Sequence, residues 1–405
     1  MADRALGNPL GNPLALPRNA VASGSGTYPS GSILATPEAP SKGTWLALDG
    51  TEWDERIFKL GGIGAGIKAP TKLADPAQLP AGVGRGCSFS PDGAYLAVSH
   101  GTSPYITIYR RDGDTFTKLA DPAQLPSNAG FSCAFSPDGI YLAVAHNTSP
   151  FVTIYRRDGD TFTKLADPAQ LPAGVGRGCA FSPDGAYLAV SHNNTPYITI
   201  YRRDGDTFTK LSNPAQLPTD AGFSCAFSPD GAYLAVSHNN TPYITIYRHD
   251  GDTFTKLANP AQLPSGFPYG CSFSPDGIYL AVAHSASPYI TLYERAGDTF
   301  TKLSNPAQLP TGEGNGCSFS PGGIYLAVAH SASPYITLYE RAGDTFTKLS
   351  NPAQLPTNTG FGCAFSPDGA YLAVAHNTSP FVTIYKGRRK NWLAVPPNVV
   401  RVRVE

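Results

Sequence analysis

Residues 179–211 read CAFSPDGAYLAVSHNNTPYITIYRRDGDTFTKL, and close variants of this phrase recur along the chain. Each copy opens on a cysteine, and the seven cysteines are spaced 46 residues apart. They are Cys87, Cys133, Cys179, Cys225, Cys271, Cys317 and Cys363. A fixed period of this length is typical of one supersecondary unit copied along a chain, and seven copies predict a closed ring.

Each unit is predicted to form four short strands, which in the first copy cover residues 86–90, 95–100, 105–110 and 115–119. Pro-Asp-Gly and Asp-Gly-Asp sequences separate the strands, because proline presets a turn and glycine accepts a positive φ. The third strand is rich in Ile, Thr and Tyr, which favour strands. The connecting ADPAQLP segment contains two prolines, which exclude it from the centre of a sheet.

The predicted second strand is apolar or small on both of its sides. Leu96 and Val98 face one way. Tyr95 and Ala97 face the other. A sheet that needs cover on both faces must lie between other sheets, and a radial arrangement of blades provides that cover. A linear solenoid would need polar end repeats, and none is evident. We therefore predict an all-β fold, a seven-bladed β-propeller of 46-residue repeats at residues 71–390.

A strand from the start of the array is predicted to close the ring. The tripeptide Thr-Lys-Leu occurs seven times, and its first copy, at residues 71–73, precedes the first cysteine. After the last cysteine the chain runs through residues 381–385 without a further GDTFTKL. We therefore predict that residues 71–73 complete the last blade, with residues 391–395 as the competing candidate. Residues 391–405 are predicted to form a C-terminal tail strand, since their end alternates apolar and charged side chains.

The phrases FSPDGAYLAV and YITIY resemble the repeats of the Trp-Asp-repeat and lactonase-like propeller families. The resemblance covers roughly residues 71–385, and its most specific part is the Ser-Pro-Asp-Gly turn. Residues 71–385 lack the Trp-Asp dipeptide, and they also lack the Gly-His pair that those repeats carry before their first strand. The resemblance therefore implies an architecture rather than a function.

The N-terminal region differs from the repeats in composition. Residues 1–35 are rich in Gly, Pro, Asn and Ser and include a tandem GNPL, which predicts an extended arm or linker. Residues 36–70 begin TPEAPSKGTWLALDGTEWDERIFKLGGIGAG. That stretch resembles phage tail-collar domains through an ordered set of residues, namely Pro40, Gly43, Trp45, Leu46, Asp49, Gly50, Phe58, Leu60 and Gly61.

The collar pattern is similar rather than complete. Thr44 intrudes before the first tryptophan, Leu48 stands where many collar domains have Cys, and the long Leu-Pro-Asp-Leu-Arg-Gly ending is missing. A small hairpin packed under the propeller is the alternative interpretation of the same segment. The resemblance implies that residues 1–66 tie the protein to a virion. The candidate anchoring residues are Trp45, Asp49, Gly50, Trp53 and Phe58.

Composition excludes several classes of function. The 30 basic and 30 acidic side chains leave no net charge, which disfavours nucleic-acid binding through a basic face. No run of about 18 apolar residues predicts a membrane span, and the first residues lack a secretory signal pattern. An odd cysteine number, with one per copy, disfavours a disulfide framework and favours a small buried residue on the innermost strand. A thiol ring that binds metal would need a His or Cys at short spacing, and no CxxC occurs.

A histidine closes the second strand of every copy. The seven are His100, His146, His192, His238, His284, His330 and His376. On separate blades they are predicted to lie too far apart to share a metal ion, and each is expected to hydrogen-bond the loop that follows it. No catalytic motif is present, and near-equivalent blades do not provide the unlike groups that a catalytic site needs. We expect no enzyme activity, no metal and no cofactor.

The copies differ mainly in two loops, one before each cysteine and one after each second strand. In a four-stranded antiparallel meander both loops emerge on the same face, which is therefore the predicted recognition surface. Neutral drift in tolerant loops is the alternative. Several of the changes introduce Arg, Phe or Tyr, which are enriched at binding hot spots. The candidate binding residues are Arg85, Phe131, Arg177, Phe223, Phe267, Tyr269, Asn315 and Phe361.

Together these observations favour a phage virion protein of the tail, collar or fibre type, made in the host cytoplasm. Its N-terminal arm would bind other virion proteins, and its propeller would bind a host-surface glycan or protein. A cytosolic scaffold whose propeller binds cellular proteins is the alternative, with a cytoplasmic location. A lactonase-like hydrolase is the third hypothesis, and it requires turnover of sugar lactones.

Overall fold

The computed structural model describes residues 69–387 together with two short strands near the N-terminus. The two short strands, Trp45–Leu46 and Glu52–Trp53, pair antiparallel with Trp45 opposite Trp53. By its contacts the chain divides into two units, of which the larger, Ala65–Ala394, contains the ring. The arm at residues 1–35, the tail at 391–405 and the candidate anchoring residues Asp49, Gly50 and Phe58 lie outside the described residues, so those assignments stay predictions.

Residues 69–387 form seven four-stranded sheets, here numbered blades 1 to 7 in the chain order of their first strands. Each sheet is an antiparallel meander. The first strands are Gly84–Phe89, Gly130–Phe135, Gly176–Phe181, Gly222–Phe227, Pro268–Phe273, Gly314–Phe319 and Gly360–Phe365. The second strands are Tyr95–His100, Tyr141–His146, Tyr187–His192, Tyr233–His238, Tyr279–His284, Tyr325–His330 and Tyr371–His376.

The outer two strands of each blade continue the meander. The third strands are Ile106–Asp112, Val152–Asp158, Ile198–Asp204, Ile244–Asp250, Ile290–Ala296, Ile336–Ala342 and Val382–Lys386. The fourth strands of blades 1 to 6 are Thr115–Lys118, Thr161–Lys164, Thr207–Lys210, Thr253–Lys256, Thr299–Lys302 and Thr345–Lys348. The predicted all-β, seven-bladed propeller of 46-residue repeats is confirmed.

The ring is closed by both ends of the array. Successive first strands contact one another, and the first strand of blade 7 contacts that of blade 1, so the first strands surround the axis. Thr71–Lys72 supplies the fourth strand of blade 7 by pairing antiparallel with Val382–Lys386. The amide of Leu73 also donates to the carbonyl of Ile384 at 2.8 Å. The predicted closure by residues 71–73 is confirmed.

The hydrophobic core lies between neighbouring blades. Successive side chains of a strand point to opposite faces, so the second strand of blade 1 packs against blade 7 through Leu96 and Val98. Its Tyr95 and Ala97 pack against blade 2. Every second strand is buried along its whole length, including its terminal histidine. Each buried Leu or Val contributes about 1.5–3 kcal/mol, so the blades are held together by their inner strands.

The seven cysteines lie on the first strands and join neighbouring blades. Cys133, for example, places its Sγ 3.6 Å from the carbonyl oxygen of Ala97 in blade 1. Four of the seven are buried and three are partly exposed, and all are free thiols. Burial raises the pKa of Cys179 to about 12, so its thiol stays protonated at neutral pH.

The histidines differ from their predicted role in one respect. The side chain of His100 shares a 2.9 Å hydrogen bond through Nε2 with Thr107 Oγ1 on the third strand, and the same bond recurs in every blade. Sequence reasoning missed this bond, while a hydrogen bond with the backbone of Thr102 in the following loop also acts on the ring, as predicted. The threonine is placed by register: Thr107 pairs with Val98, which makes it the diagonal neighbour of His100 on the same face. Burial lowers the pKa of His100 to about 4.

Candidate ligand-binding face

The two variable loops of each blade meet on one face, which we call the upper face. In blade 2 the Ser127 hydroxyl donates to the carbonyl of Ser149 at 2.8 Å. The backbone amide of Asn147 donates to the carbonyl of Ala129 at 3.1 Å. These bonds join the loop before the first strand to the loop after the second strand. The opposite face, here the lower face, carries the Ser-Pro-Asp-Gly turns and the turns between third and fourth strands.

Seven of the eight candidate binding residues occupy one equivalent position on the upper face. In blade 1 the pairing of the first and second strands shifts register between Gly84 and Gly86, so Arg85 is the extra residue of a β-bulge. A bulge re-aims the side chain of its extra residue. The same shift is found in every blade. The seven bulged residues, which we call the upper ring, are Arg85, Phe131, Arg177, Phe223, Tyr269, Asn315 and Phe361.

In six blades the residue before the bulge is a glycine that closely approaches the backbone of the preceding blade, and in blade 5 it is Pro268. A Cβ at Gly84 would lie 2.2 Å from the carbonyl oxygen of Phe381 in blade 7, and one at Gly176 would lie 2.2 Å from that of Phe151 in blade 2. Real Cβ atoms do not come so close. The repeated sequence therefore fixes the backbone at the bulge and leaves the next side chain free to vary.

Five members of the upper ring contact one another in sequence around the axis. The guanidinium of Arg85 lies 4.6 Å from the ring centre of Phe131, and the guanidinium of Arg177 lies 4.8 Å from the same ring. Arg177 also lies 5.6 Å from the ring centre of Phe223, which meets Tyr269 edge-on at 5.5 Å. Cationic and aromatic groups thus form a continuous partly exposed strip across four blade interfaces.

The remaining candidates behave differently. Asn315 donates from Nδ2 to the carbonyl of Gly360 at 2.8 Å, so its amide is already bound to the next blade. Phe361 is half-buried in the ring. Phe267 lies outside the ring, two residues before the bulged position of its blade, and is 44% exposed with its ring edge-on to Tyr243 at 6.2 Å. The structure therefore brings seven candidates together and places the eighth beside them.

The two arginines of the upper ring lack an acceptor within residues 69–387. Neither guanidinium forms an ion pair or a hydrogen bond with a described residue, and the Nε atoms of both are buried without a partner. Burial lowers the pKa of Arg85. Burial, together with the charge of Arg85, lowers the pKa of Arg177. Two mutually repelling cations thus flank one phenyl ring on the upper face.

The lower face contains the same cation–aromatic contact with its charge balanced. The Arg157 guanidinium of blade 2 lies 4.9 Å from the ring centre of Tyr95 in blade 1 and 2.9 Å from a carboxylate oxygen of Asp92. Five blade interfaces have this arrangement. Their ion pairs are Arg111–Asp368, Arg157–Asp92, Arg203–Asp138, Arg295–Asp230 and Arg341–Asp276.

The aspartates of the Ser-Pro-Asp-Gly turns therefore have two roles. Asp92 accepts a hydrogen bond from the Ala94 amide at 2.9 Å and another from the Ser90 hydroxyl, which is the predicted turn-forming role. Sequence reasoning missed its ion pair with Arg157. The available signal was the spacing of 65 residues, because Gly322, the one turn position without Asp, stands 65 residues before Gly387, where the arginine is also absent.

Gly101 is a further residue that sequence reasoning missed. It is the only residue of the loops after the second strands that takes glycine where the other copies have Asn or Ser. A Cβ built on Gly101 would lie 3.6 Å from Nε and 3.8 Å from a terminal nitrogen of Arg85, with no other atom within 4 Å. Gly101 thus leaves open space beside an unpaired guanidinium.

Neither a metal-binding group nor a membrane-spanning helix is found among the described residues. Within residues 69–387 and the two short strands, no group of three or more His, Cys, Asp or Glu side chains is placed to hold a metal ion. In the same part of the chain, no helix is long and apolar enough to cross a membrane.

The comparisons with known proteins bear on the fold. No protein-family model matches the sequence, and no curated protein matches it. Among solved structures, hydrazine synthase of Kuenenia stuttgartiensis superposes with a TM-score of 0.61 at 19% sequence identity, over 77% of this chain and 97% of that chain. At this identity the likeness shows a shared fold and nothing of ligand or activity.

Proposed function

We propose that this protein is a recognition protein whose upper ring binds a ligand. One observation carries the proposal: seven equivalent bulged positions hold Arg, Phe, Arg, Phe, Tyr, Asn and Phe, while the strands around them are nearly identical. Because the scaffold is repeated, these differences are not needed to pack the blades. Variable Arg, Tyr and Phe side chains on a rigid frame are typical of a binding surface.

The proposal is for binding without turnover. Catalysis needs unlike acids, bases or nucleophiles at one spot. The upper ring supplies neither carboxylate, thiol nor imidazole. The imidazole of His100 is buried against Thr107 with its pKa lowered to about 4 by burial, and burial raises the pKa of Cys179 to about 12. These groups support the fold, and none of them is a nucleophile or a proton-transfer group at neutral pH.

We further propose that the N-terminal region anchors the protein in a phage virion and that the propeller faces a host-surface polymer. The support is the collar-like order of residues in the segment at 36–66. Antibodies against residues 1–66 and against the propeller would be applied to purified phage particles and viewed by electron microscopy. The expected result is propeller label on the outside with the arm label inaccessible. Absence of the protein from every particle would overturn the anchoring role.

Recognition by the upper face is tested separately from anchoring. Fluorescently labelled full-length protein would be applied to an array of glycans and peptides. We expect bound spots that are lost in the variant Phe131→Ala/Phe223→Ala on the upper ring. The matched control is Arg110→Ala/Arg156→Ala on the lower face, where both arginines are more than half exposed, and it should keep all spots. Spots lost only in the lower-face variant would move recognition to the other face.

A further inference from the structure

The upper ring holds two guanidinium groups whose surroundings are incomplete. Arg85 and Arg177 contact the ring of Phe131 at 4.6 and 4.8 Å, and neither reaches a hydrogen-bond acceptor in the described residues. Partly buried charges are normally paired, because desolvation is unfavourable without compensation. Within the described residues this group of cations therefore lacks an anionic partner.

The lower face shows what completes the same motif elsewhere in the molecule. Wherever an arginine lies over a tyrosine there, a carboxylate oxygen also lies within hydrogen-bond distance, as in Arg203 over Tyr141 at 4.9 Å with Asp138 at 2.6 Å. All five arginines of this kind are so paired. The group that the upper arginines lack is thus a carboxylate.

We propose that Arg85 and Arg177 bind a carboxylate-bearing saccharide, with its sugar ring packed on the aromatic side chains between and beside them. The proposal deepens the recognition function proposed above and rests on it. A planar guanidinium binds a carboxylate through two parallel N–H···O bonds, which gives both affinity and orientation. An anion seated over Phe131 is within reach of both cations and relieves their repulsion.

A saccharide fits the strip better than an acidic peptide does. The strip alternates guanidinium and aromatic groups over Arg85, Phe131, Arg177 and Phe223 at separations of 4.6–5.6 Å. An acidic sugar presents a carboxylate and an apolar C–H face on one rigid ring of similar size, and repeats both along its chain. An acidic peptide carries its carboxylates on flexible side chains without an apolar face, so it would leave the phenyl rings uncovered.

The test uses the full-length protein and a matched pair of ligands. Oligogalacturonate carries one carboxylate per sugar, and its fully methyl-esterified form keeps the sugar rings without the charge. We expect calorimetry at low salt to show binding of the acid form and at least tenfold weaker binding of the ester. Raising the salt concentration should weaken only the acid form, since screening acts on the charged contacts.

Variants assign the binding to the two arginines. Arg85→Gln and Arg177→Gln should each weaken binding of oligogalacturonate about tenfold. Arg156→Gln, whose ion pair with Asp206 lies exposed on the lower face, is the matched control and should bind like the unmodified protein. The thermal midpoint of each variant is measured alongside, and the ligand comparison with unmodified protein is independent of any loss of folding.

Each other outcome overturns the inference. Equal affinity for acid and ester, or unchanged binding in both arginine variants, would exclude carboxylate recognition at this site. Tighter binding of oligoglutamate or of inorganic phosphate than of oligogalacturonate would identify the ligand as an acidic peptide or a phosphate group. If the array yields only neutral ligands, and Phe131→Ala/Phe223→Ala abolishes them, recognition by the upper ring stands while the saccharide carboxylate is wrong.

Discussion

The two faces of the propeller use the same contact in opposite ways. On the lower face Arg157 lies over Tyr95 and pairs with Asp92, so its charge is neutralised by a contact that joins blades 1 and 2. On the upper face Arg85 lies over Phe131 and pairs with no described residue. The comparison teaches that a cation–aromatic pair in this molecule joins blades where a carboxylate neutralises it, and leaves an unpaired cation on the surface where none does.

The repeats support this distinction. At the lower-face position of the arginine that lies over a tyrosine, loss of one partner accompanies loss of the other: Gly322 replaces the turn aspartate where Gly387 replaces its arginine. In blade 4, His249 stands in the arginine position and stacks on Phe254 at 4.5 Å. Its electrostatic interaction with Asp184 helps to lower the pKa of that carboxyl group. Changes on the upper ring have no matching change across the blade interface. Paired change is expected of a structural contact, and unpaired change is expected of a surface that meets an external partner.

The largest expected effect is a loss of stability at acidic pH, caused by the buried histidines. The buried histidines end the second strands beneath the upper loops, and burial lowers the pKa of each to about 4. An unfolded histidine takes up a proton near pH 6.5, so between about pH 6.5 and 4 the unfolded chain binds more protons. The free energy of unfolding should therefore fall as the pH is lowered through this window.

The aspartates of the lower-face turns should lose their charge only at a lower pH. Burial alone would raise the pKa of Asp92, but hydrogen bonds from Ser90 and Ala94 and the charge of Arg157 lower it overall, so it stays ionised until the pH falls below its ordinary range. Each histidine contributes up to about 1.4 kcal/mol per pH unit, and seven together exceed a typical domain stability, so we expect unfolding before pH 4. Urea titrations across the window measure this, and a free energy that stays constant down to about pH 4 would contradict it.

The second prediction removes the carboxylate from a lower-face arginine, so that this arginine becomes unpaired like those of the upper ring. Asp92→Asn keeps the shape and the turn hydrogen bonds but removes the charge facing Arg157, whose side chain is only 17% exposed. We expect a loss of about 1–2 kcal/mol in the free energy of unfolding, discounted because Asp92 is nearly half exposed. Urea unfolding of Asp92→Asn, Arg157→Gln and the double variant gives the coupling energy. Fully additive losses would show that the pair does not interact.

The sequence predicts the blades and the two faces of the propeller, but not the contacts that distinguish one face from the other. The 46-residue period, the turn residues and the spare Thr-Lys-Leu are local signals, and they suffice for the blades, the closing strand at residues 71–73 and the face on which the loops meet. The pairing of Arg157 with Asp92 was missed because it joins two blades, and the bulge at Arg85 was missed because it depends on the register between two strands of one blade. The threonine partner of the histidine was missed because register between strands, rather than distance along the chain, places Thr107 beside His100.

The third prediction adds a carboxylate of the protein's own beside an arginine of the upper ring. At Gly101 a Cβ meets only Arg85, at 3.6 Å, so Gly101→Asp adds a carboxylate beside the unpaired guanidinium without a clash. We expect a gain of about 0.5–1 kcal/mol in stability and weaker binding of an acidic ligand, because the new carboxylate occupies the same donors. Gly101→Asn, the side chain found at the equivalent position of blade 3, is the uncharged control. Equal behaviour of the two variants in urea unfolding and calorimetry would separate Arg85 from ligand binding.

The smallest expected effect comes from restoring an ion pair that blade 5 lacks on the lower face. In blades 1 to 4 an exposed arginine pairs with the aspartate of the next blade, as Arg110 does with Asp160 at 3.0 Å. In blade 5 this position is Glu294, which stands near Asp344, the acceptor of a 2.6 Å bond from the Tyr279 hydroxyl. Glu294→Arg should therefore replace a repulsion with the ion pair that blades 1 to 4 contain.

We expect Glu294→Arg to raise the free energy of unfolding by no more than about 1 kcal/mol, because exposed ion pairs are weak. Glu294→Gln removes the repulsion alone and should give a smaller gain. Urea unfolding at low and high salt separates the two, since screening should remove most of either gain. A gain that persists at high salt would point to packing of the longer side chain instead. In that case the exposed arginines of blades 1 to 4 would stabilise the fold through packing rather than through their charge.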